Sequence, residues 1–417
     1  MTPTSSPPMR PAAARLRRGR RRLLALLAAT PMLAMPAWAQ AGCPDAQPWQ
    51  DWERFVRHFV QDSGRVLDAS TPEQRSSSES QSYGMFFALV ANDPAMFEKM
   101  WRWSVDNLAR GDIGQVLPAW QWGADGQGNW RVLDDNPASD GDLWFAYSLL
   151  EAGRLWQRPD YVQDARHLLA NVQAREVAQL PGLGKMLLPG VIGFADPQAG
   201  RWRLNPSYLP LFQLRRLALE QPQGPWSEIA ANTVRMIQAL GAPQGFVPDW
   251  VAYQADFAGT GGQFVADEDK GDLGSYDAIR TYLWAGMTAP QDPASQALRR
   301  PLAGMAREIA RSGAPPESVR AAGGQAQGTG PYGFGAALLP YLAWQGEPEQ
   351  ARQLRARVQT QWLSANEAAL AAGRQPSYYD TMLSLFGTGW HDKRYRFSDT
   401  GHLRVQWEKT CPLAATP

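Results

Sequence analysis

The stretch Ser76-Ser-Ser-Glu-Ser-Gln-Ser-Tyr-Gly-Met85, running straight into Phe86-Phe-Ala-Leu-Val90, decides how this chain is read. Serines ahead of an apolar run are helix-start residues, and such a start can aim the one carboxylate among them, Glu79, into a cavity. A proton donor would sit there. The plainer reading leaves Glu79 as an acid that suits the positive end of a helix dipole.

Two more carboxylate motifs stand downstream. Ala138-Ser-Asp-Gly-Asp142 precedes Leu143, Trp144, Ala146, Leu149 and Leu150, so Ser139 or Asp140 can cap a helix and leave another acid free. Ser275-Tyr-Asp-Ala-Ile-Arg280 opens a third helix, on which Asp277 and Arg280 share a face and could be a simple surface pair. What weighs against three unrelated helix starts is the aromatic content. Eighteen tryptophans occur in 417 residues, and Trp120, Trp122, Trp130, Trp202 and Trp250 fall between helical segments. Flat aromatic faces outside a core suit the C–H faces of sugar rings. Carboxylates with such platforms point to a polysaccharide.

Working outward, apolar residues at three-and-four spacing predict about twelve helices. They fall near 48–62, 82–92, 94–109, 140–156, 160–177, 206–220, 226–241, 276–287, 293–311, 331–345, 347–371 and 376–387. Strand-like pieces, such as 129–133 and 185–194, are few and short. The fold class is therefore all-α, and six helix pairs can close into a ring with inner and outer layers. Residues 312–330, with Pro315, Pro316 and several glycines, read as a long loop, a linker between two domains being the alternative.

Residues 1–39 hold seven arginines, no acid, and an apolar run from Leu23 to about Met35 that ends in Ala37-Trp-Ala39. This is the form of a secretory signal peptide cleaved near Ala39. It leaves one domain, 40–417, with no membrane insertion after cleavage. Without the leader, 34 basic residues face 40 acidic ones, a balance that gives no electrostatic reason for a nucleic-acid partner. Cys43 and Cys411 are the only cysteines; in an oxidising compartment they suit a disulfide between the two ends, with two buried thiols as the alternative. The four histidines are scattered without metal-ligand spacing, so no metal and no cofactor is expected. Gly328-Thr-Gly-Pro-Tyr-Gly333 matches a dinucleotide fingerprint as a string, but no strand precedes it and Pro331 occupies its turn.

Together these motifs resemble glycoside hydrolase family 8, in particular its members that accompany bacterial cellulose synthesis. The resemblance covers essentially the whole mature chain: Glu79-Ser-Gln-Ser-Tyr, Pro118-Ala-Trp120, Ser139-Asp-Gly-Asp142, Asn205-Pro-Ser-Tyr-Leu-Pro210, Pro248-Asp-Trp250, Ser275-Tyr-Asp-Ala-Ile-Arg280 and Leu385-Phe-Gly387. It implies an (α/α)6 barrel with short β-hairpins in its loops, and a periplasmic or secreted endoglucanase that hydrolyses β-1,4-glucan with inversion. Glu79 would be the general acid, Asp277 the general base, and Asp140 a group that grips and distorts the sugar. Tyr208, Tyr276 and Arg280 would neighbour them, with Trp120, Trp130, Trp202 and Trp250 binding substrate. An association with cellulose synthase is a further implication. Chitosan, xylan or mixed-linkage glucan is the alternative substrate, and a non-catalytic glucan-binding component is the alternative from another class. One departure stands out, since the family usually has glycine where this chain has Ser80. Serine there predicts strain if φ is positive, and an added hydrogen bond beside Glu79 if it is not.

Overall fold

The computed structural model describes residues 48–410, without the side chains of 409 and 410. The leader, its cleavage site and both cysteines lie outside the described residues.

Helices come in alternating pairs along the chain. In order they are α1 (Gln50–Phe59), α2 (Ser78–Val90), α3 (Pro94–Leu108), α4 (Ser139–Leu155), α5 (Pro159–Arg175), α6 (Leu211–Glu220) and α7 (Trp226–Gly241). Then follow α8 (Ala278–Met287), α9 (Pro293–Arg299), α10 (Gly304–Ser312), α11 (Tyr332–Gln345), α12 (Pro348–Ala371), α13 (Tyr378–His391) and the short α14 (Trp407–Thr410). Six of them, α2, α4, α6, α8, α11 and α13, make the inner layer of an (α/α)6 barrel, and the helices between them make the outer one. The most enclosed inner helix, α4, is buried at every residue except Arg154, its acids included. Outer helices show one apolar stripe, as α1 does with Trp52, Phe55 and Phe59.

All twelve predicted helices are present, with two changes that proline explains. The 293–311 segment is broken into α9 and α10, because Pro301 cannot donate to the carbonyl of Ala297, which instead accepts from Gln238 Nε2 at 3.5 Å. The 206–220 segment starts its α-helix only at Leu211, after a 3₁₀ turn over Pro206–Tyr208 and then Pro210.

Short strands are more numerous than predicted, and they form the hairpins at the ring's ends. β1 (Ser76–Ser77), β2 (Ala119–Ala124) and β3 (Trp130–Pro137) form one antiparallel sheet, and β4 (Val177–Leu180) pairs with β5 (Gly184–Leu187). β6 (Ala195–Asp196), β7 (Arg201–Leu204), β8 (Val251–Ala255) and β9 (Gly262–Ala266) form a four-stranded sheet. β10 (Leu273–Gly274) pairs with β11 (Ser318–Arg320) and that with β12 (Gln325–Gln327), so the predicted 312–330 loop folds back beside the start of α8. Against the sequence expectation, a short strand does run into Gly328, though Pro331 still occupies the turn before α11. The last hairpin is β13 (Tyr395–Phe397) with β14 (Leu403–Val405).

Aromatic rings fill the barrel axis. Phe87 of α2 meets Phe386 of α13 at 4.5 Å, closing the inner ring, and Trp144 of α4 touches Phe386 and Trp284 of α8 at 5.1 and 5.4 Å. The β13–β14 hairpin plugs one end, with Phe397 stacked on Phe212 of α6 at 3.7 Å. Its Gly401 has φ +81°, and a Cβ there would lie 2.0 Å from the Phe212 carbonyl oxygen. The other end, where α2, α4 and α8 begin, carries the three carboxylate motifs.

Candidate active site

Glu79 lies in the first turn of α2, whose N-cap is Ser77. Ser77 Oγ accepts from Ser80 N at 3.1 Å and Ser80 Oγ accepts from Ser77 N at 2.9 Å, a reciprocal cap. Ser80 thus sits inside the helix, outside the positive-φ region, and its side chain is the added hydrogen bond that the sequence allowed. Ahead of the cap, β1 is stitched to β2 in the register Ser76 to Trp122 and Ser77 to Gln121. That register brings Trp120 over the acid: its Nε1 donates to Glu79 Oε1 at 3.1 Å, while Ser78 Oγ donates to Oε2 at 3.1 Å. Burial pushes the Glu79 pKa up, against the pull of its backbone hydrogen bond, Arg280 and the serines.

The start of α4 packs against the start of α2 through Gly141. A Cβ at that position would lie 2.7 Å from Ser78 Oγ, so glycine is what lets the two helix starts close up. Neither Ser139 nor Asp140 caps α4. Both lie inside the helix, whose N-cap is Ala138, and Asp140 Oδ1 accepts from Gly141 N at 2.9 Å. Asp140 is 2 % exposed, with Tyr83 Oη donating to its Oδ2 at 3.5 Å. Its pKa is pushed up to about 8, by burial first and by the Glu79 charge second. Tyr83 was not singled out by the sequence reading, although it follows Glu79 by four and so shares its helix face.

Arg280 joins the second acid to the third. Its Nη2 stands 2.9 Å from Asp277 Oδ1, 3.9 Å from Asp140 Oδ2 and 3.1 Å from Ser207 Oγ. Asp277 and Arg280 are therefore part of a cluster of three acids about one guanidinium. Burial raises the Asp277 pKa, with Arg280 acting against it.

Aromatics surround this cluster unequally. Trp120 and Trp130 are 38 % and 49 % exposed, and Trp130 stacks on Trp122 at 5.4 Å with the Arg65 guanidinium over both rings. Tyr208 is half-buried, edge-on to Trp250 at 6.2 Å. Trp250 is half-buried, stacked on Phe194 at 6.0 Å and covered by the Arg203 guanidinium at 4.4 Å. Tyr276 is exposed, and its hydroxyl donates to Glu317 Oε1 at 3.0 Å. Trp202 is not in their company: at 6 % exposure it faces the protein interior from β7, beside Tyr253, and offers almost no ring face to a ligand.

Behind Asp140 lies a second acid pair. Asp142 and Glu176 are fully buried and none of their four carboxylate oxygens meets a donor. Burial drives both pKa values upward, Glu176 to about 8.

The family described as glycosyl hydrolases family 8 matches residues 25–393. A Pseudomonas fluorescens (strain SBW25) protein named endoglucanase is 45 % identical over 390 residues, 92 % of this chain and 98 % of that protein. An endoglucanase of Xanthomonas axonopodis pv. citri (strain 306) is 47 % identical over 382 residues, 92 % of this chain and 95 % of its own length. Among solved structures, an endo-1,4-D-glucanase from Vibrio fischeri ES114 superposes with a TM-score of 0.79 at 37 % identity, covering 86 % of this chain and 99 % of the other.

Proposed function

The chain belongs to glycosyl hydrolases family 8, and from that premise we propose that it is an exported endo-1,4-β-glucanase with Glu79 as general acid, Asp277 as general base and Asp140 gripping the sugar. Hydrolysis in this family proceeds with inversion.

A glycosidic oxygen leaves poorly until it is protonated, so the acid must keep its proton near neutral pH. Glu79 suits this, because burial opposes its ionisation and the donors at its carboxyl, Trp120, Ser77, Ser78 and a backbone N–H, are neutral. Asp277 must instead be ionised, to take a proton from the water that attacks the opposite face of the ring. Arg280, in direct contact with its Oδ1, favours that state. This asymmetry, one carboxyl without a cationic partner in contact and one with it, is the observation that carries the assignment. Asp140, protonated at about 8 and below, can donate to a sugar hydroxyl. Inversion at a β-linkage gives the α-anomer as first product.

The relatives named endoglucanase support β-1,4-glucan as the substrate. The further acids that bear on a cationic chitosan are held by turns and a helix start. Asp125 accepts from Gln127 N and Asn129 N within its hairpin turn, Asp256 accepts from Thr260 N, and Asp249 lies among backbone donors. Ser80, where the family resemblance expects glycine, reinforces the turn holding Glu79. The leader supports export, with cleavage near Ala39 giving a single catalytic domain over 40–417 that acts in the periplasm or outside the cell. There it would trim glucan chains as a cellulose synthase extrudes them.

The test is reducing-end release from carboxymethylcellulose by the mature chain, with product anomers followed by NMR. We expect α-anomer first, and a loss of about 10³-fold in kcat for both Glu79→Gln and Asp277→Asn. Release from chitosan or xylan but not from carboxymethylcellulose would overturn the substrate; binding of glucan without release from any of the three would overturn catalysis.

A further inference from the structure

Helix α8 begins without a cap from its own N-cap residue. Asp277 holds that position, with φ −88° and ψ −49°, yet its side chain bonds to none of the helix's N–H groups. Aspartate at an N-cap ordinarily folds back onto the N–H two or three residues on. A carboxylate so engaged would be turned along the helix and away from a substrate.

The N–H groups two and three residues on bond to backbone, Ile279 N to Ser275 O at 3.2 Å and Arg280 N to Asp277 O at 3.0 Å. Asp249, from the segment between α7 and β8, takes the first N–H of the helix and those that lead into it. Its Oδ1 accepts from Ser275 N at 2.7 Å, Asp277 N at 3.1 Å and Ala278 N at 2.7 Å, and its Oδ2 accepts from Ser275 Oγ at 2.6 Å. Asp249 is itself fixed, 7 % exposed, with its N–H donating to Leu273 O at 2.8 Å. We propose, resting on the reading of Asp277 as the base, that Asp249 is its positioning residue: by holding Ser275, Asp277 and Ala278 on one carboxylate it fixes the turn into α8 and so the place from which the Asp277 carboxylate meets the attacking water.

The same carboxylate adds a like charge beside the base, which makes Asp277 a better proton acceptor. The ionisable groups about Asp277 are Arg280 on α8 itself, Asp249, Asp140 on α4, and the hydroxyls of Tyr83 on α2, Tyr208 after β7 and Tyr379 on α13. Asp249→Asn changes only one of these charges and keeps an acceptor for the backbone N–H groups. Asp249→Ala removes both.

Kinetics on cellohexaose across the acid limb, with Asp277→Asn alongside, separate the possibilities. For Asp249→Asn we expect kcat to fall and the acid limb of kcat/KM to move to lower pH, since the base loses its like-charged neighbour. For Asp249→Ala we expect kcat to fall about 10²-fold with KM changed by less than about twofold, as a misplaced reacting group would produce. Asp249→Asn with wild-type kcat and a wild-type acid limb overturns the proposal, whatever its melting temperature. Should Asp249→Ala not fold, Ser275→Ala serves in its place. It removes only the Oδ2 donor, and a kcat within error of wild type there, with Asp249→Asn also unaltered, overturns the proposal equally. An active Asp277→Asn would show that the base itself is misassigned, which is a different failure.

Discussion

Asp140 and Glu151 stand three turns apart on α4, about 16 Å along one helix, and both are almost wholly buried. They are nevertheless in opposite states. Asp140 faces the open end, where a tyrosine hydroxyl, its neighbour's N–H and a distant guanidinium are all that meet it, and its pKa is pushed up to about 8. Glu151 faces the plugged end. Arg216 Nε and His402 Nδ1 meet its Oε1 at 2.6 and 3.2 Å, and Arg154 and Leu403 N meet its Oε2. Burial alone would raise Glu151 too, but His402, Arg154 and Arg216 hold it down at about 2. Burial therefore does not decide the charge of a carboxyl; the donors around it do. One end of the helix stabilises the barrel, and the other keeps protons available.

The largest expected effect is at the plugged end. Glu151→Gln leaves Arg216 and Arg154 without their shared counter-charge and should cost about 3–5 kcal/mol in urea unfolding. A folded pKa near 2 lies below the ordinary 4.5, so the wild type's advantage is complete above pH 4.5 and is lost as pH falls towards about 2. Equal stability of the two proteins at neutral pH would break the comparison.

The open end should show the reverse sign. A folded pKa near 8, above the ordinary 3.8, means that the native state holds a proton which the unfolded chain has released, so stability drains away as pH rises from 3.8 through 8. Asp140→Asn has no proton to lose and can still accept from Tyr83. It should raise Tm at pH 7 by about 2 °C or more while activity collapses. The donor-poor pair Asp142 and Glu176 extends the same strain behind the site. A Tm lowered by Asp140→Asn at neutral pH would show that its carboxyl is paired more strongly than its neighbours suggest.

How legible these two ends were in the sequence differs for a physical reason. The open end is written locally. Each acid lies in the first turn or at the N-cap of a helix, so Ser-Ser-Ser-Glu, Ser-Asp-Gly-Asp and Ser-Tyr-Asp could be read as helix starts before anything was known of their contacts. Glu151 lies near the C-terminal end of α4, and of its charged partners only Arg154 is local, while Arg216 and His402 are 65 and 251 residues away. Periodicity gives the helices but not which ones meet. Asp249 was missed beside the start of α8 for the same reason, being 28 residues from Asp277. Trp202 could have been placed better. Arg201-Trp-Arg-Leu204 alternates charged and apolar residues, the period of a strand with one face inward, and Trp202 and Leu204 are indeed the buried pair. Pro301 likewise announced the break between α9 and α10.

The smallest effect tests Ser80, the position at which the family resemblance leads one to expect glycine. Ser80→Ala keeps the bond from Ser80 N to Ser77 Oγ but loses two, that from Ser77 N to Ser80 Oγ and that from Ser80 Oγ to Ser77 O, which should cost about 1 kcal/mol of stability. Neither lost bond is made to the Glu79 carboxyl, which meets Trp120, Ser78 and the Ser77 hydroxyl, and that hydroxyl keeps its bond from Ser80 N. Activity and the alkaline limb, which the proposed mechanism assigns to Glu79, should therefore stay where they are. If the limb moved, the serine turn would be tuning the acid through the helix start, and the division between an end that holds the fold and an end that holds protons would be less sharp than α4 makes it.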